Sequence, residues 1–550
     1  MLYTRMLRPT IGAAAVATLI LGGSSSGPHA ATPAVDAAFQ RFFAAASARD
    51  AAGLVDELAR SGVTFDDAYA RLKRGRTYAA AKTGQVWMTN RTPDDVDHRY
   101  AVNVPASYDP AKKYQVRVQL HGGVMMRRTG VPPANAGGIG QLAGDDAQID
   151  IVPFAWDAMP WWSDDQILNL REILDQTKRT YNIDENRVVL SGVSDGGTGA
   201  YFVAMRDTTP YASFLPLNGF IMVLAAADIA ANGPVHPNNL RDKPFFIVNG
   251  ERDPLYPTRT VDPYVEHMKR GGMTLEYLPQ AGAGHNTQWW PQVRDRYESF
   301  VRAHPRKPMP DTLTWETSDA RLYGRAHWLV IDTVWTAKGE AAAMPDLNRY
   351  SGPPVQDFGA RSVGAHITRV MSGSSAERIG LKAGDALLRL NDESIHVDVE
   401  IAEAFEDVAP GSTITLLVVR DNQPVELEGT YEPRTVTPPP RDLFDRSAPS
   451  GRVDLVREGN TVTATTHGVG AFTLLLSPDQ FDFGKPVKVV ANGRTVFDGR
   501  VKKDLKTLLK YAASDNDRAM LFGAELHVDL IRAEPRAGRY RLTTDRLTTD

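Results

Sequence analysis

The chain has 550 residues, more than one core usually supports, so two to four domains are expected. With 42% hydrophobic and 23% charged residues and a formal net charge of -4, it reads as soluble globular protein, and no basic run is long enough to track a nucleic-acid backbone. It contains no cysteine, which excludes disulfides, cysteine–zinc sites, a thiol nucleophile and a lipidated N-terminal cysteine together.

Residues 1–30 have the form of an export signal: Arg5 and Arg8, a short apolar stretch Ile11 to Leu21, then small residues. The stretch is short for a bilayer-spanning helix, although an uncleaved anchor is the alternative reading. Cleavage would leave an exported chain, periplasmic or extracellular, with no stable membrane insertion. Residues 35–80 are patterned as amphipathic helix, with Phe39, Phe42, Phe43, Leu54, Leu58, Tyr69 and Leu72 at helical spacing. They are expected to cap the domain that follows.

From 81 to 307 short apolar runs alternate with helical patterns, the rhythm of an α/β fold. His98 to Val104, Val116 to Leu120 and Ile149 to Phe154 read as strands, and Ser163-x-x-Gln166 as a capping box opening a helix. Asn182 to Asn186 reads as a turn. Val188-Val189-Leu190 then runs into Gly192-Val193-Ser194-Asp195-Gly196, a G-x-S-x-G elbow that lifts one hydroxyl to the top of a sheet. Gly23 to Gly27 also fits that pattern, but no strand precedes it. Ser194 is therefore the candidate nucleophile.

A serine hydroxyl needs an imidazole to take its proton and a carboxylate to orient that imidazole. Asn249-Gly250-Glu251-Arg252-Asp253-Pro254 follows the strand Phe245 to Val248 and supplies Asp253, with Glu251 as the fallback acid. Ala281-Gly282-Ala283-Gly284-His285 follows the strand Leu275 to Leu278 and supplies His285. Backbone N–H groups of Asp195 and of Gly123, or else Gly122, are the candidate oxyanion hole. His121 is expected to brace that loop. Trp161-Trp162 and Trp289-Trp290 either line a pocket or pack in the core. This chemistry calls for no cofactor and no metal.

On Y-x-V-x-V-P-x-S-Y-D-P, L-H-G-G, G-V-S-D-G-G, N-G-E-R-D-P and G-A-G-H, residues 95–305 resemble the α/β-hydrolase family, in its secreted esterase and polyhydroxyalkanoate-depolymerase-like branch. The resemblance implies an ester substrate. Asp195 after the serine, and the lack of cysteine, depart from the depolymerase pattern and put a polymer substrate in doubt.

Residues 312–336 alternate as strands, with Trp328 to Ile331 the strongest run. Residues 353–432 resemble a PDZ domain of the bacterial protease-associated type, on Gly380-Leu381-Lys382-Ala383-Gly384-Asp385 and the flanking Ser374-Ser375-Ala376 and Leu387 to Asn391. That resemblance implies a bound peptide C-terminus, held by Phe358-Gly359-Ala360 as the carboxylate-binding loop, or else a purely structural module. After a proline-rich linker, 447–532 is mostly strand with an Asn492-Gly493 hairpin turn. The segments 312–336 and 447–532 are expected to form one β-sandwich-like domain with the PDZ module inserted. Residues 533–550 are expected to be a flexible tail. The function this implies is a secreted serine hydrolase cleaving an ester; the alternatives are a serine peptidase with the same triad and a non-catalytic PDZ-based binding protein.

Overall fold

The computed structural model describes residues 33–531 apart from 93–94, 127–147, 230, 232, 336–344, 397–400 and 406. The expected export signal and C-terminal tail lie outside the described residues. The chain opens with four helices, α1 (Pro33–Ala44), α2 (Ala48–Gly53), α3 (Val55–Arg60) and α4 (Phe65–Arg74). Ser47 and Thr64 cap α2 and α4 by accepting from the backbone N–H groups of Asp50 and Asp67. Their apolar face departs from expectation in its partner. Val35, Phe39, Phe42, Leu58 and Leu72 pack with Leu508, Leu509, Ala512 and Leu521, so these helices cover the C-terminal helix Leu505–Asp515. The eight-stranded sheet is not their main neighbour because its faces are already occupied by its own helices.

That sheet has eight strands: β1 (Gly84–Arg91), β2 (Asp97–Val104), β3 (Tyr114–Leu120), β4 (Gln148–Val152), β5 (Ile183–Val193), β6 (Ser213–Leu217), β7 (Phe245–Gly250) and β8 (Leu275–Gln280). Their spatial order is β1-β2-β4-β3-β5-β6-β7-β8, with β2 antiparallel to both neighbours and the rest parallel. Helices α5 (Asp164–Thr180), α6 (Asp195–Arg206) and α7 (Thr258–Arg270) pack with Val188, Leu190, Phe245 and Ile247 on one face. Helix α8 (Trp290–Ala303) packs with Val189, Leu215, Phe246 and Val248 on the other. The alternation of strand side chains divides these residues between the two layers. This is the α/β-hydrolase architecture.

Two local expectations are corrected. Residues 183–186 belong to β5 instead of a turn, because Arg518 binds Glu185, Asn182 and the Ile183 carbonyl, while Arg306 binds Asn186, holding this polar stretch extended. The capping box at α5 is half formed. Gln166 N–H donates to Ser163 Oγ at 3.3 Å, but the Gln166 side chain is buried and donates to the carbonyls of Phe154 and Met159.

Beyond the eight-stranded sheet, Thr312–Thr317 joins a five-stranded sheet through Gly451–Glu458, and Leu329–Val334 joins a four-stranded sheet through Val469–Leu476. Both sheets close over one core containing Trp315, Trp328, Phe472 and Val489. Asn492 and Gly493 both take positive φ, 49° and 76°, in the two-residue turn between Val487–Ala491 and Arg494–Gly499. Glu316 stitches this unit to the α/β body: its carboxylate accepts from Asn238 at 2.7 Å and from Arg446, and its backbone exchanges hydrogen bonds with Asn239. Burial alone would raise the Glu316 pKa, but His236, Arg446 and Asn238 hold it well below the usual carboxylate range. Between the two segments lies a separate unit with its own core around Phe358, Ile367, Leu387 and Leu416. Among the described residues no helix is long and apolar enough to cross a membrane.

Candidate active site

The largely buried strands β3, β5, β6 and β7 deliver their C-terminal loops to one edge of the sheet, where parallel α/β sheets bind ligands. At the end of β5 the chain reverses into α6, and Ser194 carries the strain of that reversal at φ 58° and ψ -122°. Its N–H donates to the carbonyl of Leu217 at 2.9 Å, tying the elbow to β6. The turn is tight enough to require glycine: a Cβ on Gly192 would lie 2.1 Å from the Gly196 carbonyl oxygen, and one on Gly196 would lie 2.1 Å from that of Leu120.

Asp253 and His285 arrive on the loops after β7 and β8. His285 Nε2 lies 2.8 Å from Ser194 Oγ, and His285 Nδ1 lies 2.7 Å from Asp253 Oδ2. A carboxylate can only accept, so Nδ1 carries a proton and Nε2 is presented to the serine hydroxyl. Asp253 is almost wholly enclosed, and its second oxygen accepts from the N–H groups of Leu255 and Tyr256 at 2.8 and 3.0 Å. Glu251 stands elsewhere: its carboxylate accepts from Gly282 N–H at 2.6 Å and braces the loop leading to His285.

The first intrahelical bond of α6 runs from Thr198 N–H to Ser194 O, so the N–H groups of Asp195, Gly196 and Gly197 precede the helical ladder beside the serine. Across the site, Gly122 packs against the serine, where an added Cβ would lie 2.9 Å from Ser194 Cβ, and Gly123 takes φ 68°. His121 fixes this loop. Ala155 N–H donates to its Nε2 at 3.2 Å, so the ring proton sits on Nδ1, which donates to the Gly122 carbonyl at 3.0 Å. Trp161 Nε1 donates to the His121 carbonyl at 2.8 Å.

Two bracing contacts escaped the sequence reading. The Asp195 carboxylate accepts from Val124 N–H at 2.7 Å, pinning the glycine loop to α6. Asn218, at φ 46°, donates through Nδ2 to the Asn286 carbonyl at 2.8 Å, fixing the residue after His285. A polar residue right after a strand end was the available signal for Asn218; the Asp195 contact spans 71 residues and leaves no local trace. The four tryptophans are core residues, none more than 8% exposed. Tyr256 lies edge-on to the His285 ring at 5.8 Å, and burial, then the carboxylates of Asp195 and Asp253, push its hydroxyl up to about 12. Among the described residues no cluster of three or more His, Asp or Glu could hold a metal ion.

In the inserted unit, Ala360–Val363 is an edge strand that among the described residues pairs only with His366–Val370, and Ile401 N–H donates to Ser362 Oγ at 2.9 Å. Phe358 is buried against Phe405 and Tyr431, and Gly359 N–H donates to the Asp357 carboxylate at 2.9 Å. One N–H of the expected carboxylate-binding loop thus already holds a carboxylate, which Arg361 neutralises at 2.8 Å.

Residues 366–420 match the family model of the PDZ domain. The chain is 31% identical over 72 residues to the periplasmic pH-dependent serine endoprotease DegQ of Escherichia coli, a match covering 13% of this chain and 16% of that protein. Among solved structures it is similar to a thermostable esterase (19% identity, TM-score 0.32, 40% of this chain and 63% of that one). It is also similar to the apo form of Thermogutta terrifontis esterase 2 (18% identity, TM-score 0.33, 41% and 96%). By its own topology the chain is an α/β-hydrolase-fold protein with a PDZ domain carried between strands of its C-terminal sheets.

Proposed function

We propose that the protein is a serine hydrolase that cleaves a carboxylic ester through an acyl-enzyme. The observation that carries this reading is the unbroken line of hydrogen bonds Ser194–His285–Asp253 beside the N-terminus of α6. Ser194 Oγ attacks the ester carbonyl while its proton passes to His285 Nε2, and Asp253 stabilises the imidazolium without taking the proton. The developing oxyanion is received by N–H groups of Asp195 and of Gly123 or Gly122. The tetrahedral intermediate collapses as His285 protonates the departing alkoxide, leaving Ser194 acylated. Water, deprotonated by His285, then releases the acid and restores the serine.

The PDZ module is read as a binding site for a peptide C-terminus or another acidic chain end, and the chain as exported. Labelling of purified protein with a fluorophosphonate, followed by turnover on a panel of esters and peptides, tests the reading. Ser194→Ala and His285→Ala should each lower kcat by about three or more orders of magnitude, Asp253→Asn comparably or somewhat less, and Glu251→Gln little. Near-normal turnover by Ser194→Ala on the true substrate refutes the mechanism. Turnover confined to peptides moves the activity to a peptidase.

A further inference from the structure

The PDZ module is joined to the body by two antiparallel segments that form a stalk: Arg349–Tyr350 pairs with Arg441–Asp442, and Val355–Asp357 with Arg434–Val436. Asn348 cross-links their bases, donating to the Phe444 carbonyl at 2.8 Å and accepting from its N–H at 3.0 Å. The stalk lies along α7, the helix that follows the acid of the triad. Tyr264, His267 and the C-cap residue Gly271 lie on one side of that helix by their spacing of three and four. Tyr350 stacks on Tyr264 with ring centroids 4.8 Å apart and planes at 12°, and His267 meets Tyr350 edge-on at 5.1 Å. His267 Nε2 donates to the Leu347 carbonyl at 2.9 Å. Leu347 closes so tightly on Gly271 that a Cβ there would lie 2.1 Å from its Cδ2. Arg441 donates to the Tyr264 hydroxyl at 2.8 Å and sits 5.3 Å over the Tyr350 ring. Leu347, Tyr350, Leu443 and Phe444 are thereby buried in the core of the catalytic body.

The same aromatic packing continues to the triad. Tyr264 meets Phe220 at 5.4 Å, Phe220 meets Tyr256 at 5.9 Å, and Tyr256 meets His285 at 5.8 Å. Tyr256 N–H also holds the Asp253 carboxylate. Pro263 lies inside α7 and has no N–H to donate, so the helical ladder is interrupted between the first turn and the face that grips the stalk. The position of the acid turn relative to that face therefore depends on side-chain packing, with Phe220 wedged between Tyr256 and Tyr264.

We propose that Tyr350 and Leu347 are positioning residues for the Asp253–His285 arm of the triad, acting through α7 and the aromatic column Tyr264–Phe220–Tyr256. The proposal rests on the hydrolase reading above. It puts the base of the PDZ stalk in mechanical series with the catalytic base.

The test uses the full chain with Tyr350→Ala, Leu347→Ala and Tyr350→Phe, a small soluble ester, and the rate of fluorophosphonate labelling at Ser194. Both alanine variants should lose about ten-fold in kcat with KM changed by less than about two-fold, since a sub-ångström misplacement acts on the chemical step. Labelling should slow in parallel, and Tyr350→Phe, which keeps the stacked ring, should restore both. Should the alanine variants fail to fold by circular dichroism, Arg441→Met carries the test; it removes the hydrogen bond to Tyr264 but keeps the stacked rings, and should lower kcat in the same sense. Folded variants that label and turn over at the wild-type rate overturn this proposal alone. A wild-type chain that neither labels nor turns over overturns the hydrolase reading and this one with it.

Discussion

Asp195 follows Ser194 directly and has two roles in the proposed mechanism. Its N–H is proposed as one of the oxyanion pair, while its carboxylate accepts from Val124 N–H and holds the opposing glycine loop. Asp195→Ala should keep the backbone donor but release that loop, lowering kcat by roughly 10- to 100-fold with a smaller change in KM, as expected when a transition-state donor is misplaced. Asp195→Asn, whose amide oxygen can still accept, should recover most of the loss; equal kinetics for the alanine variant and wild type would show that the loop holds itself. A second residue-scale feature is Asp242. Part of the residue faces solvent, but Oδ2 is enclosed without a hydrogen-bond partner among the described residues, and burial pushes its carboxyl from an ordinary 3.8 up to about 8. The folded state therefore holds a proton that the unfolded chain releases, so this group's stabilisation is complete below about pH 4 and is lost as pH rises toward about 8. Asp242→Asn, still able to accept from Thr314 N–H through Oδ1, should flatten the fall in melting temperature between pH 5 and 8. An unchanged slope would remove Asp242 from the account.

The elements that sequence made legible are those written in local grammar. Strand ends flanked by Gly192 and Gly196 and by Gly250 mark loops that must pass close to other backbone, and with the loop after β8 they carry Ser194, Asp253 and His285 to one another. What was not legible depends on partners outside the local motif. Residues 183–186 look like a turn until Arg518 and Arg306 hold them in β5. Gln166 looks like a reciprocal cap until the carbonyls of Phe154 and Met159 claim its side chain. The amphipathic face of α1 to α4 announces that it will be buried without naming the surface, which proves to be the helix Leu505–Asp515. Leu508, fully buried in that contact, should on truncation to alanine destabilise the fold by about 2–5 kcal/mol. Chemical denaturation measures this, and a loss below about 1 kcal/mol, the range of exposed substitutions, would mean that the contact is not formed in solution.

On the scale of the whole molecule, the PDZ domain enters and leaves through adjacent strands of its stalk, which fixes its orientation in a way a terminal appendage would lack. Replacing 358–433 by a short loop while keeping the stalk should leave hydrolysis of a small ester almost unchanged, because such a substrate reaches Ser194 unaided. Hydrolysis of the natural large substrate should drop. Equal rates on every substrate, with no peptide binding by calorimetry, would leave the module a spacer. The pairing of α1 to α4 with Leu505–Asp515 bears on how the chain comes to be folded. Val35, Phe39, Phe42 and Leu72 are made by the ribosome long before Leu508 and Leu509, yet they share one cluster with them. The strands of the catalytic sheet find partners among nearer neighbours, whereas this clasp closes across most of the sequence. The entropy of so wide a closure grows only logarithmically with the span, but its timing is set by synthesis. Nascent chains that stop short of Leu505 carry an oily helical face with nothing to cover it, so α1 to α4, made before the eight-stranded sheet, are among the last elements to be buried.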